Sequence, residues 1–194
     1  MLFTTKRKPI TQFSIFIDGN EVQEVQNTKF LGVFIDNKLN WKKHIAYISG
    51  KVSRGMGVIL KARRVLNGNS LKTLYFSFIY PFFTYCNHVW GSTYKSNLRP
   101  LITLQKTCVR IISSAKYRDP TDPLFKDLGL LKLLEINKYL IGKFMFKCHH
   151  GFVPELFTNV FTPIKLYTII TLDKTINYIV RISAQILVRQ NSLI

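Results

Sequence analysis

TKFLGVFIDNKLNWKKHIAYISGKVSRGMGVILKARR, residues 28–64, is the stretch from which the rest of the fold follows. Phe30, Leu31, Val33, Phe34 and Ile35 form an apolar, β-favouring run interrupted only by Gly32. The run predicts one buried or half-buried strand from Thr28 to Ile35. Asp36-Asn37 supplies a turn, because both side chains can bond back to their own backbone. Asn40 then fits the N-cap of a long helix. From Trp41 the apolar positions fall at 41, 45, 48, 52, 59 and 66, which is helical spacing. At about 100° per residue they share one stripe, while Lys43, Tyr47, Lys51, Arg54 and Lys61 gather within roughly 80° on the far side. One face is suited to burial and the other to negative charge.

Toward the N-terminus, Phe13 to Ile17 reads as a strand, Asp18-Gly19 as a hairpin turn and Glu21 to Val25 as the return strand. With the strand at Thr28 to Ile35 this predicts a small three-stranded antiparallel sheet, which needs a helical cover to be stable. Toward the C-terminus, Asn67-Gly68-Asn69 breaks the chain and Ser70 is placed as the next cap. Leu71 to Val89 is nearly all apolar. Lys72, Pro81, Asn87 and His88 argue for a core helix, kinked or divided at Pro81, rather than a membrane span. Asn97 to Ile112 is an amphipathic helix with Leu98, Leu101, Ile102, Leu104, Val109 and Ile112 inward. Arg99, Lys106 and Arg110 form an outer ridge that reads equally as a solvated face or a binding surface. A loop over 113–123, a short helix from Leu124 to Leu128 and a last helix from Leu134 to His150 follow. Ile136, Leu140, Ile141, Phe144, Met145 and Cys148 face inward on the last one. Residues 161–194 are rich in Ile and Thr and carry no recognisable role. The fold class is α+β, mostly α: a small N-terminal antiparallel sheet followed by a helical bundle.

Charge narrows the function. The chain has 194 residues, 28 Lys and Arg against 10 Asp and Glu, and a net charge of +18. Asn37 to Arg118 contains no acid and fifteen basic residues. A solvated surface ordinarily mixes both signs. An acid-free span of this length implies external anions, most simply phosphates. An apolar share of 47% argues against disorder.

Chemistry is sparse. Cys86, Cys108 and Cys148 give neither a disulfide framework nor paired metal-ligand spacing. Neighbours in Cys148-His149-His150 diverge by about 100° on a helix, so no metal site is expected. No nucleophile elbow, phosphate loop or zinc-hydrolase motif is present. Asp36 is read as a turn residue rather than a catalytic acid, and His44 as a packing or phosphate contact rather than a general base. Residues 1–20 hold no secretory signal, and the cysteine usage fits a reducing intracellular setting, nucleus or cytoplasm.

Several segments, in order, carry a resemblance. They are Lys29-Phe30-Leu31-Gly32-Val33 ending in Ile35-Asp36, Leu39-Asn40-Trp41, His44-Ile45, Tyr80-Pro81, Tyr85-Cys86 and Val89-Trp90-Gly91. Leu104-Gln105-Lys106, Val109-Arg110-Ile111-Ile112 and Thr121-Asp122-Pro123-Leu124-Phe125 complete the series. Together, over roughly residues 1–160, they resemble the C-terminal part of the reverse transcriptases of non-LTR retrotransposons, in particular the jockey-like group. The resemblance implies that residues 1–40 are the C-terminal edge of a polymerase palm. Residues 41–160 would then be a helical thumb and connection region, leaving 161–194 as an unassigned tail. It gives Phe30, Leu31 and Gly32 a primer-grip-like role. With the basic face, it makes Lys43, Lys51, Arg54, Lys61, Arg99, Lys106 and Arg110 the expected backbone contacts to an RNA/DNA template–primer duplex, and Tyr47 the expected contact to a sugar or base. Backbone contacts of that kind hold phosphates without reading bases.

The family's catalytic motif, an aromatic residue followed by Ala-Asp-Asp, belongs before the first residue of this sequence. Fingers and the rest of the palm are likewise absent. Nucleotidyl transfer needs such carboxylates to hold two metal ions, so the expectation is a fragment that is inactive alone. No cofactor is expected in this chain, and Mg²⁺ only in the complete polymerase. A stand-alone basic nucleic-acid-binding protein, or a relic without function, are the alternatives.

Overall fold

The computed structural model describes Phe3 and residues 14–155. The expected role of residues 161–194 and the strand start at Phe13 lie outside the described residues. The chain divides into two compact units, Met1–Ala115 and Lys116–Ile194.

The first unit opens with four short strands. β1 (Phe16–Ile17) pairs antiparallel with β2 (Asn20–Glu21) around Asp18-Gly19, both at positive φ. β3 (Asn27–Phe30) pairs with β4 (Val33–Asp36), with Asn27 opposite Asp36 and Phe30 opposite Val33. The single strand expected from Thr28 to Ile35 is therefore a hairpin. Leu31 (φ 44°) and Gly32 (φ 82°) form its two-residue turn, the left-handed pair that matches the twist of antiparallel strands. Glycine adopts that conformation freely, and leucine only at a cost. The two hairpins also remain separate two-stranded sheets rather than one three-stranded sheet.

α1 (Lys42–Ala62) begins on an Asp36 carboxylate, not on an Asn40 cap alone. Oδ1 of Asp36 accepts the amides of Lys38 and Asn40, both at 3.1 Å, and Oδ2 accepts that of Trp41 at 2.9 Å. Asn40 Oδ1 accepts the Lys42 amide at 3.0 Å, and Trp41 takes the N-cap position at φ 63°. The predicted stripe is buried at Trp41, Ile45, Ile48, Val52 and Ile59. Leu66, its expected last member, lies beyond the helix and is exposed.

α2 (Gly68–Phe78) is capped by Asn67, whose side chain accepts the Ser70 amide at 2.9 Å. The cap is thus three residues earlier than predicted. α2 packs closely on α1, since a Cβ on Gly55 would stand 2.8 Å from the Phe78 carbonyl oxygen. The apolar run is cut as Pro81 predicts: α3 (Tyr80–Thr84) carries Pro81 in its first turn, and α4 (Asn87–Trp90) follows. It is not buried on every side, because Phe78, Tyr85 and Val89 are exposed while Tyr75, Ile79, Phe83 and Trp90 are fully enclosed. Among the described residues no helix is long and apolar enough to cross a membrane.

α5 (Lys95–Ile112) starts two residues before Asn97 and buries Leu98, Leu101, Gln105, Cys108, Val109 and Ile112. Ile102 and Leu104, expected inward, are only half-buried. Gln105 Nε2 donates to the Tyr75 hydroxyl at 2.9 Å, a buried polar link between α2 and α5.

In the second unit, α6 (Thr121–Asp127) takes in the predicted loop as far back as Thr121, with Pro123 in its first turn, where a missing amide costs no bond. α7 (Leu133–His149) buries Leu133 and Ile136; Leu140, Ile141, Phe144, Met145 and Cys148, expected inward, are only half-buried, and Leu134 is exposed. Glu135 Oε2 accepts the Lys132 amide at 2.9 Å, and Lys132 Nζ pairs with Asp122 at 3.0 Å. The α+β, mostly helical class read from the sequence is the class observed.

Candidate nucleic-acid interface

The basic face of α1 is built from both the helix and the hairpin beside it. β4 meets α1 through Phe34, whose amide donates to His44 Nδ1 at 3.3 Å. The His44 ring lies edge-on to Trp90 at 5.5 Å, and burial lowers its pKa from 6.5 to about 4. His44 is therefore a neutral packing residue enclosed between elements. At 2% exposure, packing is the role that its placement fits.

Beside it, the Phe34 and Tyr47 rings meet edge to face at 5.2 Å. Three ammoniums surround this pair. Lys43 Nζ stands 5.3 Å from the Phe34 centroid and Lys51 Nζ 5.6 Å from that of Tyr47. Lys29 Nζ, from β3, sits 5.8 Å from Phe34 and 5.4 Å from Tyr47. Such distances are those of cation–π contact. Lys43 also donates to the Asn27 side-chain oxygen. Of the residues singled out in the sequence, Lys43, Tyr47 and Lys51 are brought together here. Arg54 and Lys61 stand exposed on the same helix further along.

On α5, Arg99 and Lys106 are exposed and Arg110 is half-buried, a ridge separate from the ring cluster. α1 and α5 are tied at their starts: Asn97 Nδ2 and Thr93 Oγ1 donate to the Asn40 carbonyl at 3.0 and 3.2 Å. Phe30 and Leu31 are displayed at the hairpin tip, 61% and 72% exposed. The Tyr85 hydroxyl donates to the Leu31 carbonyl at 2.6 Å, and Trp90 Nε1 donates to the Tyr85 carbonyl at 2.9 Å. Tyr85 thus props the tip from the helical side.

Asp36 is engaged by three backbone amides, which makes it a structural acid. Cys108 is fully buried, and desolvation pushes its thiol up to about 12, so it is inert as a nucleophile. Among the described residues no group of three His, Cys, Asp or Glu is placed to hold a metal ion. Sequence reasoning missed Lys29, Phe34 and Tyr85 as parts of this surface. The two-residue turn at Leu31-Gly32 is the signal for the first two, because it sets Lys29 opposite Phe34.

The sequence that builds this hairpin tip and cationic helix face is similar to RNA-directed DNA polymerases of mobile elements. The chain is 26% identical over 141 residues to the probable RNA-directed DNA polymerase from transposon X-element of Drosophila melanogaster. It is 29% identical over 135 residues to the RNA-directed DNA polymerase from mobile element jockey. To the probable enzyme from transposon BS it is 26% identical over 134 residues. These matches cover 71%, 68% and 66% of this chain but only 15%, 15% and 14% of the relatives' lengths. The resemblance to jockey-like non-LTR reverse transcriptases stands on these three matches. No family model matches the chain, and no solved structure matches it.

Proposed function

We propose that this chain is a reverse-transcriptase-derived segment that grips a template–primer duplex through the basic face of α1 and carries no catalytic carboxylates of its own. One observation carries the reading: an acid-free helix face bearing Lys43, Lys51, Arg54 and Lys61, within a chain similar to mobile-element polymerases. In this reading residues 1–40 are the last edge of a palm and residues 41–160 a thumb and connection region. Phe30, Leu31 and Gly32 then lie beside the primer, and the α5 ridge adds phosphate contacts. Fingers and the remaining palm are the expected partners of the first hairpin. Its Phe16 and Ile17 are 63% and 61% exposed, more apolar surface than an isolated pair of two-residue strands sustains. The setting is intracellular, nucleus or cytoplasm, where such a duplex is found.

The test is a salt titration of the purified chain on a 20-base-pair duplex. Each phosphate neutralised adds about −0.9 to the slope of log affinity against log salt. A slope of −3 or steeper is expected, with no primer extension in the presence of Mg²⁺ and nucleotides. A flat slope overturns the proposal.

A stand-alone basic binding protein is a second reading, favoured by one observation: Met1–Ala115 encloses a core of its own. It requires a monodisperse protein that unfolds in one cooperative step. Aggregation through the exposed apolar hairpin would exclude it.

A further inference from the structure

We infer that Lys29, Lys43 and Lys51, gathered on the Phe34–Tyr47 ring pair, form a phosphate-binding corner of the nucleic-acid surface, with Lys29 of β3 as a contact that the helix face alone does not supply. The inference rests on the duplex-binding reading above and names a site within it. Three like charges converge from two elements, β3 and α1, onto two edge-to-face rings. No carboxylate pairs with any of them among the described residues. Asp36, the acid between Lys29 and Lys43 in sequence, already accepts three amides. The shared rings hold Lys29 Nζ within about one Debye length, ~10 Å at 0.1 M salt, of the other two ammoniums. Unpaired, the three repel one another. A chain of phosphates relieves that repulsion, and a DNA strand presents about three of them over such a span at ~3.4 Å of axis each.

The rings give the corner its rigidity. Phe34 is fixed through its amide to His44, and Tyr47 stands one helical turn from both Lys43 and Lys51. Lysine is a flexible point charge. A ring beneath each ammonium restricts its positions before the anion arrives. Both rings are half-buried, so they serve as a fixed floor for the three ammoniums.

The experiment uses the whole chain and a 20-base-pair B-form DNA duplex, read by fluorescence anisotropy across salt concentrations. Lys29→Gln is compared with Lys51→Gln, with Lys29→Arg, and with Lys143→Gln on α7. The expected result is a slope reduced by about 0.9 in both Lys29→Gln and Lys51→Gln, or about fivefold weaker binding at 0.15 M salt. Lys29→Arg is expected to restore the slope and Lys143→Gln to leave it unchanged. A steep wild-type slope that Lys29→Gln does not alter overturns the corner and leaves the duplex reading intact. A flat wild-type slope overturns both. Lys29-dependent binding of poly-glutamate, with no Lys29 effect on DNA, would assign the corner to an acidic protein and overturn the inference.

Discussion

His44 shows how one residue joins the hairpin, α1 and α4. Its Nδ1 accepts the Phe34 amide, and its ring packs edge-on to Trp90 at 2% exposure. Only the neutral ring can accept at Nδ1, since both nitrogens donate once it is charged. The unfolded chain takes up this proton near pH 6.5 and the folded chain only near pH 4. Between those values the unfolded state binds more protons. Stability is therefore complete above pH 6.5 and falls as the pH drops toward 4. Urea unfolding is expected to show a loss of about 2 kcal/mol between pH 7 and pH 5, at 1.36 kcal/mol per pKa unit. His44→Gln is expected to flatten that window. A wild-type midpoint constant from pH 7 to pH 5 would show that His44 titrates freely.

Elements, not isolated positions, decide where the basic face points, and Asp36 sets the most important of them. Its carboxylate closes the turn after β4 and satisfies amides at the start of α1, the end where a negative charge also favours the helix dipole. Asp36→Ala leaves these donors without an acceptor and is expected to cost about 2 kcal/mol in urea unfolding. Asp36→Asn is expected to recover about half. Equal stability of Asp36→Ala and wild type would mean that water replaces the carboxylate. The α1 stripe, the break at Asn67 to Asn69, the division at Pro81 and the amphipathic α5 are legible in sequence because periodicity and backbone chemistry act locally. The β3–β4 hairpin is not. Leu31 is no turn former, and its left-handed conformation depends on Gly32 next to it and on Tyr85, fifty-four residues away, holding its carbonyl. The cap shared by Asp36 and Trp41 is hidden for the same reason, since a residue at φ 63° is fixed by its surroundings. The ring cluster follows from the hairpin register and is lost with it.

At the scale of the molecule, the question is whether the excess of +18 acts as a diffuse field or as a footprint. A diffuse field treats every lysine alike. A footprint concentrates the effect on one face. From Lys43 to Lys61 the α1 face runs about 27 Å at 1.5 Å per residue, close to one turn of duplex at ~34 Å. Contacts along it are to phosphates, which fix register without reading sequence. Replacing Lys51, Arg54 and Lys61 together by Gln is expected to reduce the salt slope by about 2.7. At 0.15 M salt that weakens duplex binding on the order of a hundredfold, equally for unrelated sequences. The matched replacement of Arg99, Lys106 and Arg110 on α5 removes the same formal charge, so a diffuse field predicts equal losses from the two triples. A footprint centred on α1, where the hairpin adds Lys29 to the helix face, predicts the larger loss from the α1 triple. If the two lose equally, charge alone holds the duplex and the geometry of α1 is incidental. If the α5 triple loses more, the template–primer lies on the other ridge and α1 is the wrong face.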